Sequence, residues 1–106
     1  MSYSLNTIVL EPLSKEKPKS AVILCHGYGG DGKDISILAS YWRAYLPDTI
    51  FICPDAPEKC AASPIGFQWF DLMDQNPEQV LSKSLVAEDK LNKLIDEVKA
   101  ENNLLA

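Results

Sequence analysis

Residues 26–34 hold one histidine, four glycines, one lysine and two aspartates, the densest group of residues in the chain suited to binding or catalysis. Glycine permits backbone conformations with positive φ and lets backbone N–H groups come close to a ligand. The apolar run 21–25 precedes this glycine loop, and apolar residues at helical spacing follow it. The segment therefore predicts a strand, a glycine loop and a helix. In open α/β sheets, ligands bind at such loops, where strands end.

Two phosphate-binding motifs can be matched to the glycine loop. Residues 27–32 fit G-x-G-x-x-G, and residues 27–33 fit the G-x-x-x-x-G-K of a P-loop. A P-loop needs a Ser or Thr hydroxyl for Mg²⁺ at the position that Asp34 occupies, and Asp31 adds a second carboxylate where a polyanion would lie. Asp55, beyond a proline, is the nearest acid that could bind a ribose. A nucleotide-binding fragment therefore stays as one alternative.

The elements that would position this loop follow from the hydrophobic pattern elsewhere in the chain. Apolar, β-branched segments predict three strands, at residues 5–10, 21–25 and 49–53. Helical spacing predicts a helix after the glycine loop, capped by Asp31 or Asp34, and another over residues 78–101 that could divide near residues 82–84. The apolar face of the first helix is expected to comprise Ile35, Leu38, Ala39, Trp42 and Leu46. Residues 58–75 show no sustained period and predict a long loop.

The order of these elements predicts one α/β domain with a mainly parallel sheet and crossover helices. A net charge of −5 argues against a nucleic-acid partner, because nucleic-acid binders usually present a basic face. Three cysteines, an odd number, do not form a disulfide framework. The sequence shows no signal-peptide pattern and no apolar run of the roughly 18 residues that a membrane span needs. We therefore expect a cytoplasmic protein.

Three short motifs, in this order along the chain, point to a known family. They are Leu-Cys-His-Gly-Tyr-Gly-Gly-Asp at 24–31, Pro-Asp-Ala-Pro at 54–57 and Trp-Phe-Asp at 69–71. Together they resemble the phospholipase/carboxylesterase family of α/β-hydrolases, which includes the acyl-protein thioesterases. The resemblance extends from Leu5 onward and implies cleavage of carboxylic esters or acyl thioesters, without a metal or other cofactor.

The resemblance also assigns roles to residues of the loop. In the family, the residue after His-Gly donates a backbone N–H to the oxyanion hole, which stabilises the negative charge of acyl transfer. That residue is Tyr28, and Gly27 and Gly29 on either side complete the oxyanion loop. His26 corresponds to a histidine that packs beneath the loop and is not the catalytic base. Trp69 resembles the aromatic residue that lines the acyl-binding groove.

The catalytic residues of the family have no counterpart in this sequence. No G-x-S-x-G nucleophile motif occurs, and Ser63 is followed by proline where a helix would have to begin. The family's Ser, Asp and His would follow the last predicted helix. The resemblance therefore implies that residues 1–106 form a single incomplete domain, the N-terminal half of the fold, truncated before the nucleophile strand. Such a chain contains no catalytic residue and is expected to be inactive alone.

Two further expectations follow from a missing nucleophile strand. In the superfamily this strand lies beside the strand at 21–25, so its absence exposes an apolar sheet edge that can promote self-association or poor folding. An ester or thioester substrate is then expected only if a C-terminal half completes the site. The alternative outside catalysis is a small binding module in which residues 27–32 hold a ligand or partner without turnover.

Overall fold

A computed structural model, which describes residues 3–60, 65–71 and 76–104, has a three-stranded sheet at its centre. The strands are β1 (Thr7–Leu10), β2 (Ser20–Ile23) and β3 (Thr49–Pro54), and their order across the sheet is β1-β3-β2. β2 pairs with β3 in parallel, as the predicted crossover requires, and β1 pairs with β3 in antiparallel orientation. The sheet is therefore mixed, and β2 lies at its edge.

All six residues of β3 are buried, because both faces of the sheet are covered. Successive side chains of a strand point to opposite faces. Ile50 and Ile52 accordingly pack with Leu94 and Val98 on one face. Phe51 and Cys53 belong to a second cluster on the other face, which is completed by a buried alanine and partly buried aliphatic side chains. β3 thus joins two small cores, and its unbroken apolar pattern reflects burial on both sides.

One helix covers each face of the sheet. Helix α1 (Gly32–Trp42) follows β2 and contributes Ala39 to the cluster around Phe51. Helix α2 (Pro77–Asn102) lies on the opposite face. Asp31 is the N-cap of α1, where its carboxylate accepts a 2.7 Å hydrogen bond from the Asp34 N–H.

Helix α2 continues without interruption through Ser82 and Ser84, where the sequence indicated a possible break. The Ser84 hydroxyl donates to the Leu81 carbonyl at 2.8 Å, so this side chain is satisfied within the helix. The helix ends at the C-cap Asn103, which has a left-handed conformation with φ of 57°. Asparagine tolerates this conformation better than most residues.

A short antiparallel pair occupies the segment predicted to be an irregular loop. Its strands are β4 (Glu58–Lys59) and β5 (Phe67–Gln68). Two residues per strand are too few to produce a recognisable alternation, and for that reason the sequence pattern did not predict them. The pair matters because β5 lies against the glycine loop.

Both helices carry apolar side chains that the described residues leave uncovered. On α1, Leu38 and Trp42 belong to the predicted apolar face, yet they are 42% and 44% exposed. On α2, Leu81 and Leu85 are 62% and 51% exposed. Neither helix, within the described ranges, is long and apolar enough to cross a membrane.

The close contact between α1 and the end of β3 provides a test of this packing. Gly32 is buried, and a Cβ atom at this position would lie 2.3 Å from the Cys53 carbonyl oxygen. We expect Gly32→Ala to lower the free energy of unfolding by about 1–3 kcal/mol, because backbone atoms must move to accept the methyl group. Urea unfolding followed by circular dichroism measures the change. Gly27→Ala is the matched control, since nothing lies within 4 Å of its Cβ position. Equal stability of the two variants would contradict the expectation.

Candidate functional site

The glycine loop connects the end of β2 with the start of α1. Gly29 has φ of 83°, a conformation that other L-residues rarely adopt. The Gly30 N–H donates to the Gly27 carbonyl at 3.1 Å and closes a turn around Tyr28 and Gly29. The chain therefore reverses at the position where the resemblance places the oxyanion loop.

The backbone N–H of Tyr28 differs from those of the next two residues. The Gly29 N–H donates to the Phe67 carbonyl at 2.9 Å, and the Gly30 N–H is used in the turn. Among the residues that the structure describes, the Tyr28 N–H has no hydrogen-bond acceptor. This amide is therefore available to a ligand, as an oxyanion donor must be.

His26 lies beneath the loop and is 4% exposed. Its Nε2 accepts a hydrogen bond from the Ala56 N–H at 2.9 Å, and its Nδ1 lies 2.6 Å from the Gly27 carbonyl oxygen. Because a carbonyl can only accept, the proton of the neutral ring must be on Nδ1. Both ring nitrogens are thus engaged in holding the backbone, and neither is available as a catalytic base.

Trp69 lies beside His26 and is partly buried. Its indole Nε1–H donates to the His26 carbonyl at 2.9 Å, and the two ring centroids are 5.7 Å apart. The same indole borders an open cavity of about 320 Å³, which Cys25, Ala87 and Leu91 also line. Trp69 is therefore next to the glycine loop, and its role in binding an acyl chain stays a prediction.

Carboxylates occupy the N-terminus of α1. Asp55, which follows β3, accepts a 2.8 Å hydrogen bond from the Gly32 N–H through Oδ1. Asp31 accepts from the Asp34 N–H one turn further along. A phosphate bound at this helix end would need the same N–H groups and would meet both negative charges. The geometry therefore disfavours the two phosphate motifs and the predicted pairing of Asp55 with a ribose.

The thiols near the site are all free. Burial, and to a smaller extent the neighbouring Cys25, raises the pKa of the Cys53 thiol to about 11. Cys25 is more exposed, but the protein atoms around it still raise its pKa. The Tyr28 hydroxyl is buried, and its interaction with the Cys60 thiol, followed by burial, raises the pKa of Tyr28, although this contact lacks the geometry of a full hydrogen bond.

The structure brings together Gly27, Tyr28, Gly29 and Trp69, the four residues predicted from the resemblance. In the described ranges no group of three His, Cys, Asp or Glu side chains could hold a metal ion. Ser63 lies outside the described residues. The contribution of the β4–β5 pair was not predicted, and Gly66 next to Phe67 was the signal that could have indicated a close backbone contact.

Known proteins match both the sequence and the fold. The sequence matches the phospholipase/carboxylesterase family over residues 7–104. The fold is similar to the crystal structure of esterase PE8, with a TM-score of 0.84 and 35% sequence identity. The alignment covers 94% of this chain and 47% of the esterase, so the chain spans about half the length of that protein.

Cysteine alkylation tests the surroundings of the loop. Thiolates are the reactive species, so a raised pKa slows alkylation at neutral pH. In the folded chain we expect iodoacetamide to modify Cys25 and to spare the buried Cys53 and Cys60, with a rate at Cys25 that rises as the pH passes 9. Peptide mapping by mass spectrometry identifies the modified residue. Alkylation in urea should modify all three thiols. Equal rates at Cys25 and Cys53 under native conditions would be incompatible with this arrangement.

Proposed function

The chain belongs to the phospholipase/carboxylesterase family of α/β-hydrolases, and we propose that it supplies the oxyanion-hole half of a serine hydrolase. The substrates of the completed enzyme would be carboxylic esters or acyl thioesters, and its location the cytoplasm. In this proposal residues 1–106 are a single incomplete domain that is inactive alone. No metal or cofactor takes part.

The free N–H of Tyr28 is the observation that carries this proposal. It lies in a tight turn at the end of β2, while the N–H groups of Gly29 and Gly30 are used within the protein. When a nucleophile attacks an ester carbonyl, negative charge develops on the oxygen, and a preorganised N–H donor stabilises that charge without reorganisation. Gly29, with its positive φ, allows the backbone to turn and present this donor.

The remaining chemistry must come from residues outside the chain. A serine would attack the acyl carbon and form an acyl-enzyme, and a histidine oriented by an acid would transfer the proton. His26 cannot supply this base, because both of its nitrogens are engaged. The acyl chain of the substrate would lie along Trp69 and the adjoining apolar cavity.

The free edge of β2 is the place where the missing half would join. The Leu24 N–H donates to Ile52 of β3, so the alternation of a parallel ladder turns the backbone groups of Ala21 and Ile23 away from β3. A groove of about 250 Å³ runs between this edge and α2. Leu104 lines the same groove, together with Ala21 and Ile23 of β2.

Reconstitution tests the proposed activity. The chain is mixed with a second polypeptide that carries a G-x-S-x-G strand, an Asp and a His from a related esterase, and hydrolysis of short p-nitrophenyl esters is measured. We expect hydrolysis only from the mixture. Tyr28→Pro removes the N–H and should lower kcat by about 10²–10³-fold, the usual effect of losing one oxyanion donor. Tyr28→Phe keeps the N–H and should lose much less. Hydrolysis that Tyr28→Pro does not affect would exclude the assigned donor, and no hydrolysis from a soluble mixture would favour the binding module.

The free edge also predicts self-association of the isolated chain. An uncovered apolar strand edge can pair with a second copy through its backbone groups. We expect sedimentation velocity to show species larger than a monomer as concentration rises. Ala21→Pro removes a donor from the free edge without removing a β2–β3 hydrogen bond, and it should reduce this association. A wild-type chain that stays monomeric and unfolds cooperatively would contradict the prediction.

A further inference from the structure

We propose that the β4–β5 hairpin positions the oxyanion loop, and that Trp69 helps to orient the Tyr28 amide by holding the backbone of His26. The inference rests on the proposed function, because it concerns the same donor. It gives Trp69 a positioning role through the loop backbone, distinct from contact with an acyl chain.

The first contact between hairpin and loop is a reciprocal pair of backbone hydrogen bonds. The Gly29 N–H donates to the Phe67 carbonyl at 2.9 Å, and the Phe67 N–H donates to the Gly30 carbonyl at the same distance. Phe67 is the first residue of β5. The residues immediately after Tyr28 are therefore bonded to the hairpin as though to a neighbouring strand.

The second contact brings two glycine backbones together. A Cβ atom on Gly66 would lie 2.0 Å from the Gly29 carbonyl oxygen. Real Cβ atoms never approach an oxygen so closely, so only glycine permits this separation of hairpin and loop. Gly29 has φ of 83°, a conformation that residues with a side chain rarely adopt. The spacing of the two backbones thus requires the absence of a side chain at Gly66.

The third contact acts on the other side of Tyr28. The Trp69 Nε1–H donates to the His26 carbonyl at 2.9 Å. The His26 ring is in turn fixed by the Ala56 N–H, at the end of the central sheet. Hydrogen bonds from the hairpin therefore hold the backbone at His26, before Tyr28, and at Gly29, after it.

This bracketing matters because oxyanion stabilisation depends on orientation. Donors must lie within about 0.5 Å and 10–20° of the productive geometry to be fully effective. No residue in the described part of the chain accepts a hydrogen bond from the Tyr28 N–H and fixes its direction. Its direction is set by the peptide plane that it shares with the Gly27 carbonyl, which accepts from the Gly30 N–H and lies 2.6 Å from His26 Nδ1. The indole of Trp69 acts on this plane through the backbone of His26.

Hydrogen exchange in the chain itself tests the positioning role. The chain contains two tryptophans, and Trp42→Phe on the exposed side of α1 leaves Trp69 as the only site for incorporation of an analogue. Benzothienylalanine replaces the indole N–H with sulfur and preserves the ring shape. We expect exchange at the Gly29 amide to accelerate by about fivefold, the factor that corresponds to one ordinary hydrogen bond.

The control amide is that of Leu24, which donates to Ile52 within the sheet. Its exchange should not change. Gly66→Ala provides an independent variant and should accelerate exchange at Gly29 as well, because it forces the hairpin away from the loop. Unchanged exchange at Gly29 with the analogue, or equal acceleration at Gly29 and Leu24, would overturn the inference. Neither measurement requires the chain to be part of an active enzyme.

Kinetics of the reconstituted enzyme separate positioning from binding of the acyl chain. If Trp69 orients the Tyr28 amide, the analogue should lower kcat by about tenfold, less than removal of the donor, and leave KM nearly unchanged. If Trp69 only lines the groove, KM for long acyl chains should change and kcat should not. The second result would overturn the positioning role while leaving the esterase proposal intact.

Discussion

The hydrogen bond between the Ala56 N–H and His26 Nε2 is the interaction on which the site depends. Ala56 follows the buried central strand, so the bond transfers the rigidity of the sheet to a loop that has no regular structure of its own. The neighbouring Asp55 does the same for the start of α1 through the Gly32 N–H. The end of β3 thus positions both ends of the glycine loop, and a side chain that is often assumed to be catalytic has a structural task here.

Much of this arrangement could be predicted from the amino-acid sequence alone. A strand such as β3 can be recognised from its unbroken apolar sequence, because both of its faces are buried. Asp31 could be recognised as a helix cap from its position before a helical pattern. The roles predicted for the glycine loop required more, because only the resemblance connected His26, Tyr28 and Trp69. The β4–β5 pair was not predicted, because its strands are only two residues long. Their pairing depends on backbone contacts, which produce no periodic pattern in the sequence.

The exposed surfaces of the fold share one cause. Within the described ranges the sheet has three strands, so the two helices extend past what it can cover, and Trp42 and Leu85 remain half exposed. Likewise, the outer edge of β2 leaves backbone N–H and C=O groups without hydrogen-bond partners among the described strands. The alignment with the related esterase covers 47% of that protein, so the chain spans about half of its length. Any element that completed the site at this edge would therefore also cover exposed apolar surface and stabilise the fold.

The proposed donor belongs to the main chain, and this has a consequence for how such a site can change over generations. Almost any replacement of Tyr28 preserves the N–H, so the proposed donor is nearly unaffected by substitution. Selection at this position can therefore act on the side chain, here packed beside Cys60, without touching the chemistry. The vulnerability moves to Gly29, whose φ of 83° other residues rarely adopt, and to Gly66, where a single added methyl group would separate the two backbones. The proposed function is therefore lost most easily through substitution of glycines, which carry no side chain.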